Sequence, residues 1–109
     1  MANFFRNKVI REVGTAPVEM LRLPDNARAT VIGLSIANLT EGNVLASVQV
    51  EDDNATVGFY IKDVIVPSHT TLKALNGGEK LILAPENAVF VSANQEDSID
   101  VVLSYVEIV

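Results

Sequence analysis

The chain has no cysteine and no tryptophan in its 109 residues, and its one histidine is His69. Without thiols there is no disulfide, no cysteine nucleophile and no cysteine-held zinc or iron–sulfur centre. Small secreted domains usually rely on disulfides, so this lack fits folding in a reducing, intracellular compartment. The absence of tryptophan removes the largest amphipathic ring from any sugar-stacking platform. No stretch approaches the roughly 20 apolar residues that span a membrane as a helix. No apolar run follows the basic residues near the start, so the sequence reads as carrying no signal peptide.

Positive charge is also scarce: eight basic against fourteen acidic side chains give a formal net charge of −6. Three of the cations, Arg6, Lys8 and Arg11, lie in the first eleven residues, which contain no acid. The other 98 residues therefore hold five basic and fourteen acidic side chains, a net of −9. An acidic body repels phosphate backbones, so direct nucleic-acid binding is not expected.

What is present is β patterning. Apolar residues make up 49% of the chain, enough for a packed core, and the length suits one domain. The clearest stretch is Ala29 to Asp53. Ile32, Leu34 and Ile36 alternate with Val31, Gly33, Ser35 and Ala37, and after residues 39–43 the alternation resumes at Val44, Ala46, Val48 and Val50. A period of two marks strands with one buried face. The Glu41-Gly42-Asn43 turn, with a glycine free to take positive φ, predicts that the two strands form a hairpin.

The rest of the chain repeats this theme. Short strands are expected at 18–23, 56–66, 71–75, 79–83, 88–93 and 99–109, separated by turn residues such as Pro24-Asp25-Asn26 and Asn76-Gly77-Gly78. In the strand at 56–66, Val57, Phe59 and Ile61 are expected on one face and Tyr60 and Lys62 on the other. The last strand is apolar on both faces, which predicts a central or covered position. No window shows a helical period. The fold class is thus all-β: an antiparallel two-sheet β-sandwich of about eight short strands, jelly-roll or immunoglobulin-like.

Residues 1–12 read as a short N-terminal arm and 13–109 as the single sandwich domain. Adjacent Phe4 and Phe5 face opposite ways in any strand, so one needs a partner outside its own sheet face. The segment is either a first strand on its own core or an arm lying on a neighbouring subunit. In the second case Phe4, Phe5, Arg6, Lys8 and Arg11 are the candidate subunit-interface residues, matched in charge to an acidic neighbour.

No catalytic constellation is present. Glu51, Asp52, Asp53 and Asn54 lack the ligand spacing of a calcium loop and read as a solvated turn, as do Glu96, Asp97 and Asp100. His69 has no metal-ligand companions and reads as a surface turn residue. The Asn38-Leu39-Thr40 and Asn54-Ala55-Thr56 triplets match the glycosylation pattern but are ordinary turn residues without a secretory signal. Gly77-Gly78 lacks the companions of a phosphate loop. No enzymatic activity, metal or cofactor is expected.

Several segments together resemble a known group. They are Val13-Gly14-Thr15, the T-V-I-G-L-S-x-A-N run at 30–38, Tyr60 to Pro67, the segment from Gly77 to Leu83, Asp100-Val101 and Val106-Glu107-Ile108. Across nearly its full length the chain resembles small virion structural proteins of tailed bacteriophages, many of them from marine and cyanobacterial phages. The group often has glycine where this chain has Ser68 and Glu86. The shared features are framework, so the resemblance carries over no functional residues. It implies a repeated, non-enzymatic building block made in the host bacterial cytoplasm and carried in the virion. Its partners would be other virion proteins and further copies of itself, with no nucleic acid and no membrane. A compact acidic domain with a basic, aromatic arm favours a capsid decoration or cement protein. The alternative is a ring or knob of the neck, tail or baseplate. A carbohydrate- or receptor-binding module is a third reading, weakened by the lack of tryptophan.

Overall fold

The computed structural model describes residues 2–75 and 79–109. The Asn76-Gly77-Gly78 loop expected from the sequence lies outside them. The strands in chain order are β1 (Asn3–Val13), β2 (Val18–Arg22), β3 (Arg28–Asn38), β4 (Val44–Glu51) and β5 (Val57–Val66). They continue with β6 (Thr71–Lys73), β7 (Leu81–Leu83), β8 (Ala88–Ala93) and β9 (Ile99–Ile108). All pairings are antiparallel.

One sheet has the order β1-β9-β3, with β6 and β7 sharing the far side of β3; the other has the order β2-β8-β4-β5. With β6 and β7 counted as one position, the pairing is nested. β4 lies beside β5, β3 beside β6/β7, β2 beside β8 and β1 beside β9. A long antiparallel ribbon rolled into two facing sheets has this order, and it is the jelly roll rather than the immunoglobulin arrangement.

The topology overturns the hairpin expected over residues 29–53. β3 belongs to the first sheet and β4 to the second, so the two strands face each other across the core instead of pairing. Alternation reports which face of a strand is buried, and it says nothing about the partner. Both strands bury one face: Val31, Leu34 and Ile36 from β3 and Val44, Ala46 and Val48 from β4. Gly42 stays outside the left-handed region, so the turn does not need it for positive φ. The corner is built on Asn38 instead. Its side-chain amide donates to the carbonyls of Gly42 and Val66, both at 2.8 Å. Its carbonyl oxygen accepts from the Thr40 amide and hydroxyl, again at 2.8 Å. Val66 ends β5, so one buried side chain ties the end of β3 to the opposite sheet.

Bulges account for two further departures. The register of β3 against β9 shifts between Val31 and Gly33. Val31 therefore turns inward with Leu34, while Ile32, expected on the Leu34 face, is 47% exposed. In β5 the register against β4 shifts twice, and Asp63 takes φ 51 in the extra turn of chain. Ile61 is thereby opposite buried Val48, with Tyr60 also packed on the core, while Val57 and Phe59 face solvent. Positive φ also occurs at Glu12 (φ 55), in the bulge near the end of β1, and at turn residues including His69 (φ 55) and Glu86 (φ 68). At Glu86 this is the backbone state that glycine adopts without strain.

β9 does lie centrally, between β1 and β3. Its inward side chains Ile99, Val101, Leu103 and Tyr105 are buried and form the spine of the core. The segment set apart as an arm is placed in β1 from Asn3 onward, paired with β9 from Asn3↔Ile108 to Ile10↔Val101. Its alternation is masked in the sequence because both faces of residues 3–9 are exposed.

The β1–β2 turn is fastened to the β8–β9 turn by Glu96. Its carboxylate accepts from the Thr15 amide at 2.9 Å and from the Thr15 hydroxyl. Gly14 leaves the room, since a Cβ there would stand 2.8 Å from Glu96 Oε2. The Thr15 hydroxyl first, then its amide, holds the Glu96 carboxyl below its ordinary range. A depressed carboxylate contributes stability above its unfolded pKa and loses it as pH falls through the folded value. Glu96→Gln is therefore expected to lower the melting temperature near neutrality, with the gap closing below about pH 4. Parallel melts of the two chains across acid pH measure it.

Candidate interaction surface

β2 is five residues long, and its end at Leu21 and Arg22 leaves an open groove beside Arg6 and Lys8 on the inward side of β1. Phe4, Arg6 and Lys8 share that side with Tyr105 and Leu103 through their β9 partners, yet all three are exposed. Arg6 Nε donates to Glu107 Oε1 at 2.7 Å, and its guanidinium lies 5.1 Å from the Phe4 ring centre. Arg11 reaches Glu12 at 3.6 Å beside the bulge that ends β1. The five expected interface residues thus lie on one edge strand but are divided between its faces.

On the outward side, Phe5 is paired to Val106, Val106 to Thr30 and Thr30 to Ile82. Register places these four side chains in one row across β1, β9, β3 and β7. The end members carry the exposure: Phe5 is 81% and Ile82 66% exposed. A parallel row pairs Val9 with Val102 and Val102 with Ser35. The bulge pushes Ile32 out between the rows, beside a shallow depression of about 270 Å³ over Gly33 and Ser104. Sequence reasoning missed this face because Ile32 was placed inward and Ile82 and Val102 were read as ordinary strand positions. The register of four strands, which no single strand encodes, makes it one surface.

Two hollows flank the end of β2. A groove of about 570 Å³ opens between Phe5, Arg6, Lys8, Leu21 and Arg22. The second hollow, about 450 Å³, is lined by Asp25, Glu51, Asp52, Asp53 and Glu86 around Arg22. Three turns, separate in sequence, bring Asp25, Asp52, Asp53 and Glu86 together with Glu51, the last residue of β4, at one end of the sandwich. Asp52 Oδ1 accepts from the amides of Asn54 and Thr56, at 2.9 and 3.0 Å, and so caps its own turn. Among the described residues no group of three or more His, Asp or Glu side chains is arranged to hold a metal ion. Arg22 bridges Glu19 at 2.8 Å and Glu51 at 3.4 Å; the Glu19 bond chiefly raises its pKa further.

The two tyrosines do not form an open platform. Tyr105 is buried, and burial followed by the Glu107 charge raises its pKa. Tyr60 is half-buried and donates to Glu79; burial first, then that bond, pushes its pKa up to about 12.

No protein-family model matches the sequence, and no curated protein matches it significantly. Among solved structures the chain is similar to one from the acid-stable capsid of Helicobacter pylori bacteriophage KHP30. That likeness has a TM-score of 0.56 and 13% identity, and it covers 99% of this chain and 89% of that one. A chain from Bacillus endospore appendages, a family of disulfide-linked pili, is similar at a TM-score of 0.56 and 7% identity, covering 96% of this chain and 86% of that one. At such identities the likeness establishes a shared fold over nearly the whole length.

Proposed function

We propose that the chain is a non-enzymatic structural protein of a bacteriophage virion, acting as a capsid decoration or cement protein. The observation that carries this reading is the exposed apolar face of the β1-β9-β3 sheet, with Phe5, Val9, Ile32, Ile82 and Val102. An exposed sheet face that carries five large apolar side chains on a small acidic domain suits burial against another protein surface. Covering Phe5 and Ile82 would contribute about 2 kcal/mol each. Repeated over many joints, that raises the work needed to pull a shell apart. The whole-length likeness to a phage capsid chain supports the reading. The pili of the other likeness are disulfide-linked, a linkage this cysteine-free chain lacks the means to make. A ring or knob in the neck or tail is the second reading, favoured by the long edge strand β1 with one side unpaired.

Rebinding tests the first reading. Purified chain is added to particles lacking it, and bound protein and the temperature of shell rupture are measured. The parent chain is expected to bind and raise that temperature. Phe5→Ser/Ile82→Ser is expected to weaken binding by about 2–4 kcal/mol. Equal binding by both chains would remove the sheet face from the account.

A further inference from the structure

The groove under β1 and the acidic hollow abut, because Arg22 lines both. On one side stand Arg6 and Lys8; on the other stand Asp25, Asp53 and Glu86. Among the described residues Lys8 makes no ion pair, whereas Arg6 and Arg22 each have one or more. Asp53 and Glu86 are exposed at turn tips, and the hollow's one cation is Arg22, already bonded to Glu19 and Glu51. Phe5 lines the groove edge, and Phe4 is paired with Glu107, another of its lining residues. Val57, 48% exposed, pairs with Glu51 at the border of the hollow.

Two neighbouring lobes of opposite charge are their own complement after a half-turn. We infer that this end of the sandwich is a self-association surface, on which a second copy seats its acidic β4–β5 turn in the groove beneath β1 and receives the same contact in return. The axis passes near Arg22. Each copy brings Asp53 to Lys8 of the other, and Phe4, on the groove side of β1, meets Val57. This gives two apolar contacts on either side of an axis where each Arg22 is already paired with its own Glu19 and Glu51. Edge-to-edge pairing of β1 with another β1 is disfavoured in the antiparallel register centred on Asn7, which would set Arg6 of each copy against Lys8 of the other.

The inference stands apart from the virion reading. A monomeric chain removes the dimer and leaves docking through the β1-β9-β3 face untouched, since the variants below do not alter that face. Sedimentation equilibrium of the full chain from about 1 µM to about 500 µM reads the Kd directly. The parent is expected to form a closed dimer that weakens about tenfold or more between about 0.05 and 0.5 M salt. Lys8→Glu alone, which keeps the Arg6–Glu107 pair, and Asp25→Lys/Asp53→Lys are each expected to weaken self-association at least about tenfold. Mixed together, the two variants are expected to form a heterodimer about as tight as the parent dimer, because each reversed lobe meets its opposite.

A parent chain that is monomeric throughout overturns the inference. So does a dimer insensitive to both variants, an open-ended assembly, or a mixture that fails to associate. Circular dichroism checks folding. If a reversed chain unfolds, Lys8→Gln and Asp53→Asn replace it, and dimers as tight as the parent's in both overturn the proposal.

Discussion

Replacing Leu103 by alanine is expected to lower the unfolding free energy by about 2–5 kcal/mol. Leu103 is fully buried in β9, with Lys8 of β1 and Leu34 of β3 as its cross-strand partners. Strand neighbours on both sides hold the backbone in place, so the site cannot collapse around the lost atoms, and the cavity adds to the transfer cost. A domain of this size is stable by about 5–15 kcal/mol in total. The loss should lower the melting temperature by roughly 8–20 °C. Val102→Ala, one residue away on the outward face, is the control and should cost under about 1 kcal/mol. Chemical denaturation of the three chains measures both values. Similar losses at Leu103 and Val102 would mean that the inward and outward faces of β9 are misassigned.

Asn38→Ala is expected to cost roughly 3 kcal/mol without creating a large cavity. The substitution leaves the carbonyls of Gly42 and Val66 without their donor and the Thr40 amide without its acceptor. Asn38 is 4% exposed, so water does not readily replace the lost groups. Asn38→Asp should be worse near neutrality, because a carboxylate would face two carbonyl oxygens. The effect should also be local. Amide exchange is expected to speed up at Thr40 and in the 39–43 corner before the β9 core responds. A loss below about 1 kcal/mol at Asn38 would show that the corner is held by other contacts.

These two positions show what the sequence could and could not convey. Leu103 lies in a strand apolar on both faces, and that pattern alone predicted a central place for β9. Burial preference is a property of one strand, so it can be read locally. Asn38 was legible only as part of a glycosylation-like triplet, because its role depends on Val66, 28 residues later in the chain. The same limit produced the misread hairpin: β3 and β4 each advertise a buried face, and two buried faces can pair side by side or face each other across a core. Ile32 was placed inward because a bulge shifts the period by one residue, and Gly33, the one local sign of it, was read as an ordinary strand position. The candidate surface was legible in part. Phe4, Phe5 and the cations of β1 stood out by composition. The acidic hollow did not, because Asp25, Asp53 and Glu86 belong to three turns that only the nested strand order brings together.

The most direct measurement of the central claim is the number of copies of this chain per purified particle, by quantitative mass spectrometry against the major capsid protein. Hundreds of copies are expected, on the order of a protein repeated over a shell of many identical subunits. About six to a few dozen copies would contradict the decoration reading and favour a neck or tail ring. Absence from washed particles would contradict the virion role itself.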